Sequence, residues 1–238
     1  MSHTHTVLGT PRVLVLGIGN VLWADEGFGV RTVQTLNAHY CFDDHVTLMD
    51  GGTQGLYLIQ YVQDADILLV FDAIDYGLEA GEMKLIENDD VPAFMGAKKM
   101  SLHQTGFQEV LATAMLTGNY PSQLLLIGVQ PEEIEDYGGS LRESVRAQIE
   151  PAIQAALAWL AQHNIVARKR ETPLTDLDAI SAPQIDLNDY ETGRPAESVA
   201  CRLGDERILS DHQYTFDPKP SLLEQGGRSF NVDKRRKD

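Results

Sequence analysis

Arg12-Val-Leu-Val-Leu-Gly-Ile-Gly-Asn20 decides the fold. A short run of branched apolar residues ending in glycine has the character of a parallel strand buried on both faces. The turn Gly17-Ile-Gly-Asn20 follows, and Asp25 is placed to cap a helix running from Glu26 to about Ala38. The pattern then repeats. His45-Val-Thr-Leu-Met49 reads as a second strand closing on Asp50-Gly-Gly52, and a helix follows from near Thr53 to about Gln63. Asp66-Ile-Leu-Leu-Val-Phe71 is a third strand, ending at Asp72. Gly81-Glu-Met-Lys-Leu-Ile-Glu87 alternates polar and apolar residues and follows the third strand too closely for a helical crossover, so it is expected to be antiparallel.

Two later segments carry the Ser-x-x-Glu/Gln spacing of a capping box. Ser101-Leu-His-Gln104 opens a helix with Phe107, Val110, Leu111, Ala114 and Met115 on one stripe. Ser140-Leu-Arg-Glu143 opens a long helix buried through Val145, Ile149, Ile153, Ala156, Leu157 and Leu160, with Pro151 expected to kink or break it. Between them Gln123-Leu-Leu-Leu-Ile-Gly-Val129 supplies a fifth strand. The expected fold is a three-layer α/β/α sandwich around a five-stranded, mostly parallel sheet with one antiparallel strand. Residues 1–10 are expected to be a flexible N-terminus and residues 11–167 the folded domain. From 168 to 238 apolar residues thin out and periodicity is lost, as in a largely flexible extension.

Charge and cysteine usage narrow the function. Residues 1–168 hold 8 Lys and Arg against 21 Asp and Glu, a net charge of −13. Such a body repels a phosphate backbone, which argues against nucleic acid as a partner. Its charge serves solubility, or attraction for a cation or basic peptide. No apolar run approaches the ~20 residues of a membrane span, and no secretory leader is visible at the start. Cys41 and Cys201, far apart in sequence, suit a reducing compartment, so the expectation is a cytoplasmic protein, by default a monomer.

In an open α/β sheet, ligands gather outside the carboxyl ends of the parallel strands. Glu26 after the first strand, Asp72 ending the third and His103 in the first turn of a helix all fall at such ends. Two carboxylates and an imidazole there would suit a borderline divalent cation such as nickel or zinc, with positions open to substrate. Each residue also has a plainer role. A helix dipole favours an acid in its first turn, an aspartate can turn the chain, and a histidine can be a hydrogen-bonded structural residue. Asp25, Asp75 and Glu82 are read as solvated or capping residues. Gly17-Ile-Gly19 hints at a phosphate-binding turn, but the third glycine of that fingerprint is replaced by Leu22.

Six segments occur in order from about Pro11 to Ile165: Leu16-Gly-Ile-Gly-Asn-Val-Leu22, Asp25-Glu-Gly-Phe-Gly-Val30, Asp50-Gly-Gly-Thr-Gln-Gly55, Asp72-Ala73, Ser101-Leu-His-Gln104 and Ile127-Gly-Val-Gln-Pro131. Together they resemble the [NiFe] hydrogenase maturation proteases, nickel-dependent endopeptidases. The resemblance implies that Glu26, Asp72 and His103 bind the metal. It also implies that the Asp50-Gly51-Gly52-Thr53 segment handles or cleaves substrate. The implied partner is the hydrogenase large-subunit precursor, which loses a C-terminal peptide once nickel is inserted. Nickel would be carried by that substrate, and other divalent cations could substitute. Whether the metal polarises the scissile carbonyl or lowers the pKa of a bound water, or serves recognition while Asp50 or another carboxylate acts as general base, stays open. The alternative function is a nickel-dependent chaperone of the same subunit that does not cut. Neither a Gly-x-Ser-x-Gly elbow nor a His-Glu-x-x-His helix is present.

Overall fold

Along the chain run β1 (Val13–Ile18), α1 (Phe28–His39), β2 (Tyr40–Cys41), β3 (Val46–Gly52), α2 (Ile59–Asp64), β4 (Ile67–Ala73), β5 (Met83–Glu87), α3 (Asp90–Met95), α4 (Leu102–Thr117), β6 (Gln123–Val129), α5 (Glu143–Arg146), α6 (Ile149–Gln162) and β7 (Arg168–Lys169), with 3-10 turns at Ala24–Gly27 and Gly55–Leu58. These come from a computed structural model that describes residues 10–95 and 102–174, together with Ile180, Ile185, Leu187 and Tyr190. All belong to one compact unit, Met1–Arg194.

The apolar runs become the centre of the sheet. Its order is β3-β1-β4-β6-β5, parallel except for the β5–β6 pair. Every residue of β1 and β4 is buried, as strands covered on both faces must be. Alternation splits them between two cores. Val13, Val15, Leu69 and Phe71 pack with α1 and α6, including Phe28, Val33, Ile153 and Leu160. Leu14, Leu16, Leu68 and Val70 pack with α2 and α4 through Val62, Phe107, Val110 and Leu111. The three-layer architecture and the antiparallel strand follow the sequence expectation. Among the described residues no helix is long and apolar enough to cross a membrane.

Glycine lets α1 press onto the sheet. A Cβ on Gly29 would lie 2.2 Å from the Phe71 carbonyl oxygen and 2.3 Å from that of Ile18. A Cβ on Gly17 would lie 2.3 Å from the Gly29 carbonyl oxygen. All three obstacles are backbone atoms, which cannot swing aside.

Several local expectations need correction. The helix expected from Glu26 begins as a 3-10 turn, and α1 proper starts at Phe28. Asp25 is neither solvated nor a cap, being fully buried. The long helix expected from Ser140 is two helices, broken at Ala147–Gln148, and α5 starts only at Glu143. Pro151 does not cause that break. It is the third residue of α6, where a missing N–H removes no helical bond. Met115, expected on the buried stripe of α4, is 55% exposed, while Phe107, Val110, Leu111 and Ala114 are buried. Ser101, the expected cap of α4, lies outside the described residues.

Several described residues beyond Ile165 rest on the body. β7 pairs antiparallel with β2. The Arg170 and Leu174 amides donate to the carbonyls of His39 (2.8 Å) and Ala38 (3.0 Å) at the end of α1. Ile180 packs against the core formed by α1 and α6. Because the α1 contact has no room for a methyl group, Gly29→Ala should lower unfolding free energy by about 3 kcal/mol or prevent folding. Urea denaturation followed by circular dichroism would measure it.

Candidate active site

β1 has β3 on one side and β4 on the other, so the crevice at their carboxyl ends is a topological switch point. Glu26 stands half-buried in the 3-10 turn that follows β1. Asp72 is the last residue but one of β4 and only 1% exposed. His103 is the second residue of α4, and its side chain lies outside the described residues. The backbone of α4 nonetheless locates its start. A Cβ on Gly106 would be 3.2 Å from the Gly55 Cα, so the first turns of α4 lie against the end of the Asp50–Gly55 loop. The elements bearing the two acids and the histidine therefore share one rim. Among the described residues no three His, Cys, Asp or Glu side chains form a metal-sized group, and the His103 side chain lies outside them.

Asp25 holds this rim together. Its Oδ2 accepts the amides of Glu132 and Glu133, both at 2.9 Å, and its Oδ1 accepts that of Arg142 at 2.7 Å. A buried carboxylate is tolerated only when hydrogen bonds replace its water. Here three backbone donors from the segment after β6 do so, tying that segment to the turn that carries Glu26. The preceding Ala24 has φ 35°, a left-handed conformation that is costly for a residue with a Cβ. The strain lies one residue from Asp25 and two from Glu26.

A bulge follows Asp50. Gly17 pairs with Asp50 and Ile18 with Gly52, leaving Gly51 as the extra residue of β3. A Cβ on Gly51 would lie 2.7 Å from Leu16 Cδ1. Gly52, at φ 48°, donates its amide to Asp50 Oδ1 at 3.0 Å. Asp50, Gly52 and Thr53 form one wall of a cleft of about 220 Å³, with Gly19, Asn20, Val21 and Leu22 of the first turn opposite and Val30 and Ile185 completing it. That volume is below the ~300–1,000 Å³ usual for a small-molecule pocket. It suits one or two side chains of a bound peptide. Gly19, after β1, has a packing role, since a Cβ there would lie 1.8 Å from the Glu26 carbonyl oxygen.

The surroundings of Asp72 are built by the end of β6, the residue after it and the turn after β4. Tyr76 is 3% exposed and lies over Gly128, whose Cβ would be 1.9 Å from its hydroxyl oxygen. Gln130 Oε1 accepts the amides of Tyr76 (2.7 Å) and Leu78 (3.1 Å), holding the turn after β4. Burial, and secondly the negative charge of Asp72, push the Tyr76 phenol above its ordinary value. Neither role is visible in Ile127-Gly-Val-Gln-Pro131 as a sequence, because Gly128 and Gln130 act on a segment some fifty positions earlier. Asp75 is exposed and turns its own loop, accepting the Gly77 amide at 2.9 Å, and Glu82 is exposed.

A family model described as hydrogenase maturation protease matches residues 30–159, more than half of the chain. The chain belongs to this family. It is 59% identical over 200 residues to the hydrogenase expression/formation protein HupD of Thiocapsa roseopersicina, covering 84% of this chain and 90% of that protein. It is 41% identical over 161 residues to the hydrogenase 2 maturation protease of Escherichia coli (strain K12), covering 67% and 97%. The hydrogenase maturating endopeptidase HybD from E. coli has a similar structure, with a TM-score of 0.64 at 39% identity, covering 67% of this chain and 98% of that one. As a member of the maturation protease family the chain is an endopeptidase. The HupD match is too long to miss residues 168–190, whereas 161 residues cannot span both β1 and Tyr190.

Two outcomes follow from the site's construction. Asp25→Ala strands three backbone donors and should cost about 3 kcal/mol or more, read as a lower urea midpoint. The raised phenol of Tyr76 keeps its proton when folded while an unfolded tyrosine ionises near 10. The unfolded state then binds fewer protons, so stability is intact below pH 10 and falls as pH rises above it. Tyr76→Phe should flatten that alkaline decline in unfolding curves taken at stepped pH.

Proposed function

We propose that this endopeptidase removes the C-terminal extension of a [NiFe] hydrogenase large-subunit precursor after nickel insertion, with the metal as the recognition element. What supports this is that one rim carries the Asp50 bulge, a peptide-sized cleft and the three elements bearing Glu26, Asp72 and His103. Family membership adds the class of reaction.

In this proposal the precursor's C-terminal segment lies in the cleft, along the backbone of Gly51, Gly52 and Thr53. The nickel it already carries meets Glu26, Asp72 and His103. Two carboxylates and an imidazole are a fitting donor set for a borderline divalent ion, and other divalent cations can substitute. Acids that are half-buried or nearly inaccessible also favour an arriving cation, because water screens the attraction less there. Asp50 acts as general base, taking a proton from the attacking water while the peptide C–N bond breaks and the new amine is protonated. Nickel thereby becomes a checkpoint, since an unloaded precursor presents nothing for the three ligands to hold.

Asp72 lies on a central strand and is buried, so the informative substitution keeps its volume. Asp72→Asn and His103→Ala should each abolish processing while circular dichroism stays unchanged. Mass spectrometry of nickel-loaded and nickel-free precursor should show a shortened product only from the loaded form. Equal processing of both forms would refute the checkpoint, and a loaded precursor of unchanged mass would refute the cleavage.

A further inference from the structure

Arg31 is a buried cation on α1, only 3% exposed, and a guanidinium taken out of water needs hydrogen-bonding partners in return. Some of them come from the C-terminal extension. Its Nη1 donates to the Ile185 carbonyl, as well as to Gln34 Oε1 at 3.1 Å. Its guanidinium carbon lies 5.7 Å from the centre of the Tyr190 ring, a cation–π distance. Leu174 is anchored at Ala38, and Ile185 seven residues back along α1 at Arg31. Since a helix rises ~1.5 Å per residue, the two anchors are roughly 10 Å apart along α1. The extension is thus attached at both ends of α1 and reaches the end that faces the rim.

At that end Ile185 lines the same cleft as Asp50, Gly52 and Thr53. We infer that Ile185, fixed by Arg31, is a specificity-determining wall of the peptide cleft and contacts an apolar substrate side chain next to the scissile bond. This rests on the endopeptidase reading of the Asp50 rim. The apolar preference follows from the lining, where Val21, Leu22 and Val30 accompany Ile185. Arg31 is a positioning residue, acting on the cleft through the backbone of Ile185. The match to HupD is long enough to include residue 185, whereas that to the E. coli protease cannot include both β1 and this segment.

The test uses the full chain and nickel-loaded precursor, with the residues flanking the cleaved bond varied from alanine to leucine to phenylalanine. Ile185→Asp should raise KM about tenfold, the scale of losing one apolar pocket contact, while kcat stays within about twofold, as for a lost binding contact. Ile185→Ala should shift preference toward the larger side chain and Ile185→Trp toward the smaller. Arg31→Lys should raise KM without changing that preference order. A photoreactive benzoylphenylalanine at position 185 should crosslink to the C-terminal segment of the precursor, and the same group at the distant, exposed Leu116 should not. Wild-type cleavage with unchanged KM and preference in all Ile185 variants would overturn the inference alone. So would faster cleavage by a chain ending at Leu174, which would make the segment an obstruction. Absence of wild-type cleavage would count against the endopeptidase reading, and the crosslink would still decide whether position 185 meets the peptide.

Discussion

The close seat of α1 on the sheet is the constraint on which the rest of the molecule depends. Gly17 and Gly29 bring helix and strand backbones to a separation that admits no side chain. That contact sets the height of α1 above β1 and β4, and with it the path of the residues between β1 and α1. Those residues carry Asp25 and Glu26 and one wall of the cleft. Val30 and Arg31 follow on the same helix, so the cleft's edge and the anchor of the C-terminal extension inherit their positions from the same backbone contact.

Four acids around this rim have different tasks because their surroundings differ. Asp25 is sealed and spends its oxygens on three amides, which makes it a structural clamp. Glu26, its neighbour in sequence, is half-buried, and adjacent residues of a tight turn point in different directions. Asp72 is held at the end of a fully buried strand, enclosed by a turn that Gln130 fastens. Asp50 stands at the cleft just before a bulge, its carboxylate accepting the Gly52 amide. Acids that cannot be told apart by type are sorted by what the fold lays against them.

Described residues after 168 rest on the body. Composition reads residues after 168 as a tail, because too few apolar residues recur to build a core of their own. β7, Arg170, Leu174, Ile180 and Ile185 need no core of their own, since each uses a surface the body already offers. A strand edge at β2, carbonyls at the end of α1, an apolar flank and a buried guanidinium are the sites they occupy. Such attachment leaves no periodic trace.

The architecture was legible in the chain because the strands are apolar without interruption and the helices repeat every three to four residues. Those patterns arise within a single element, as burial of a face or of both faces. Sequence alone thus determined the three layers, the antiparallel strand and the assignment of Glu26, Asp50, Asp72 and His103 to element ends. Tertiary structure decided what no local pattern encodes. It sealed Asp25 with amides over a hundred residues away, placed Gly128 under Tyr76, made Gly51 a bulge and brought Ile185 into the cleft. Each of these is a contact between distant segments, set by how closely two backbones approach, and the spacing of residues along a chain carries no information about that distance.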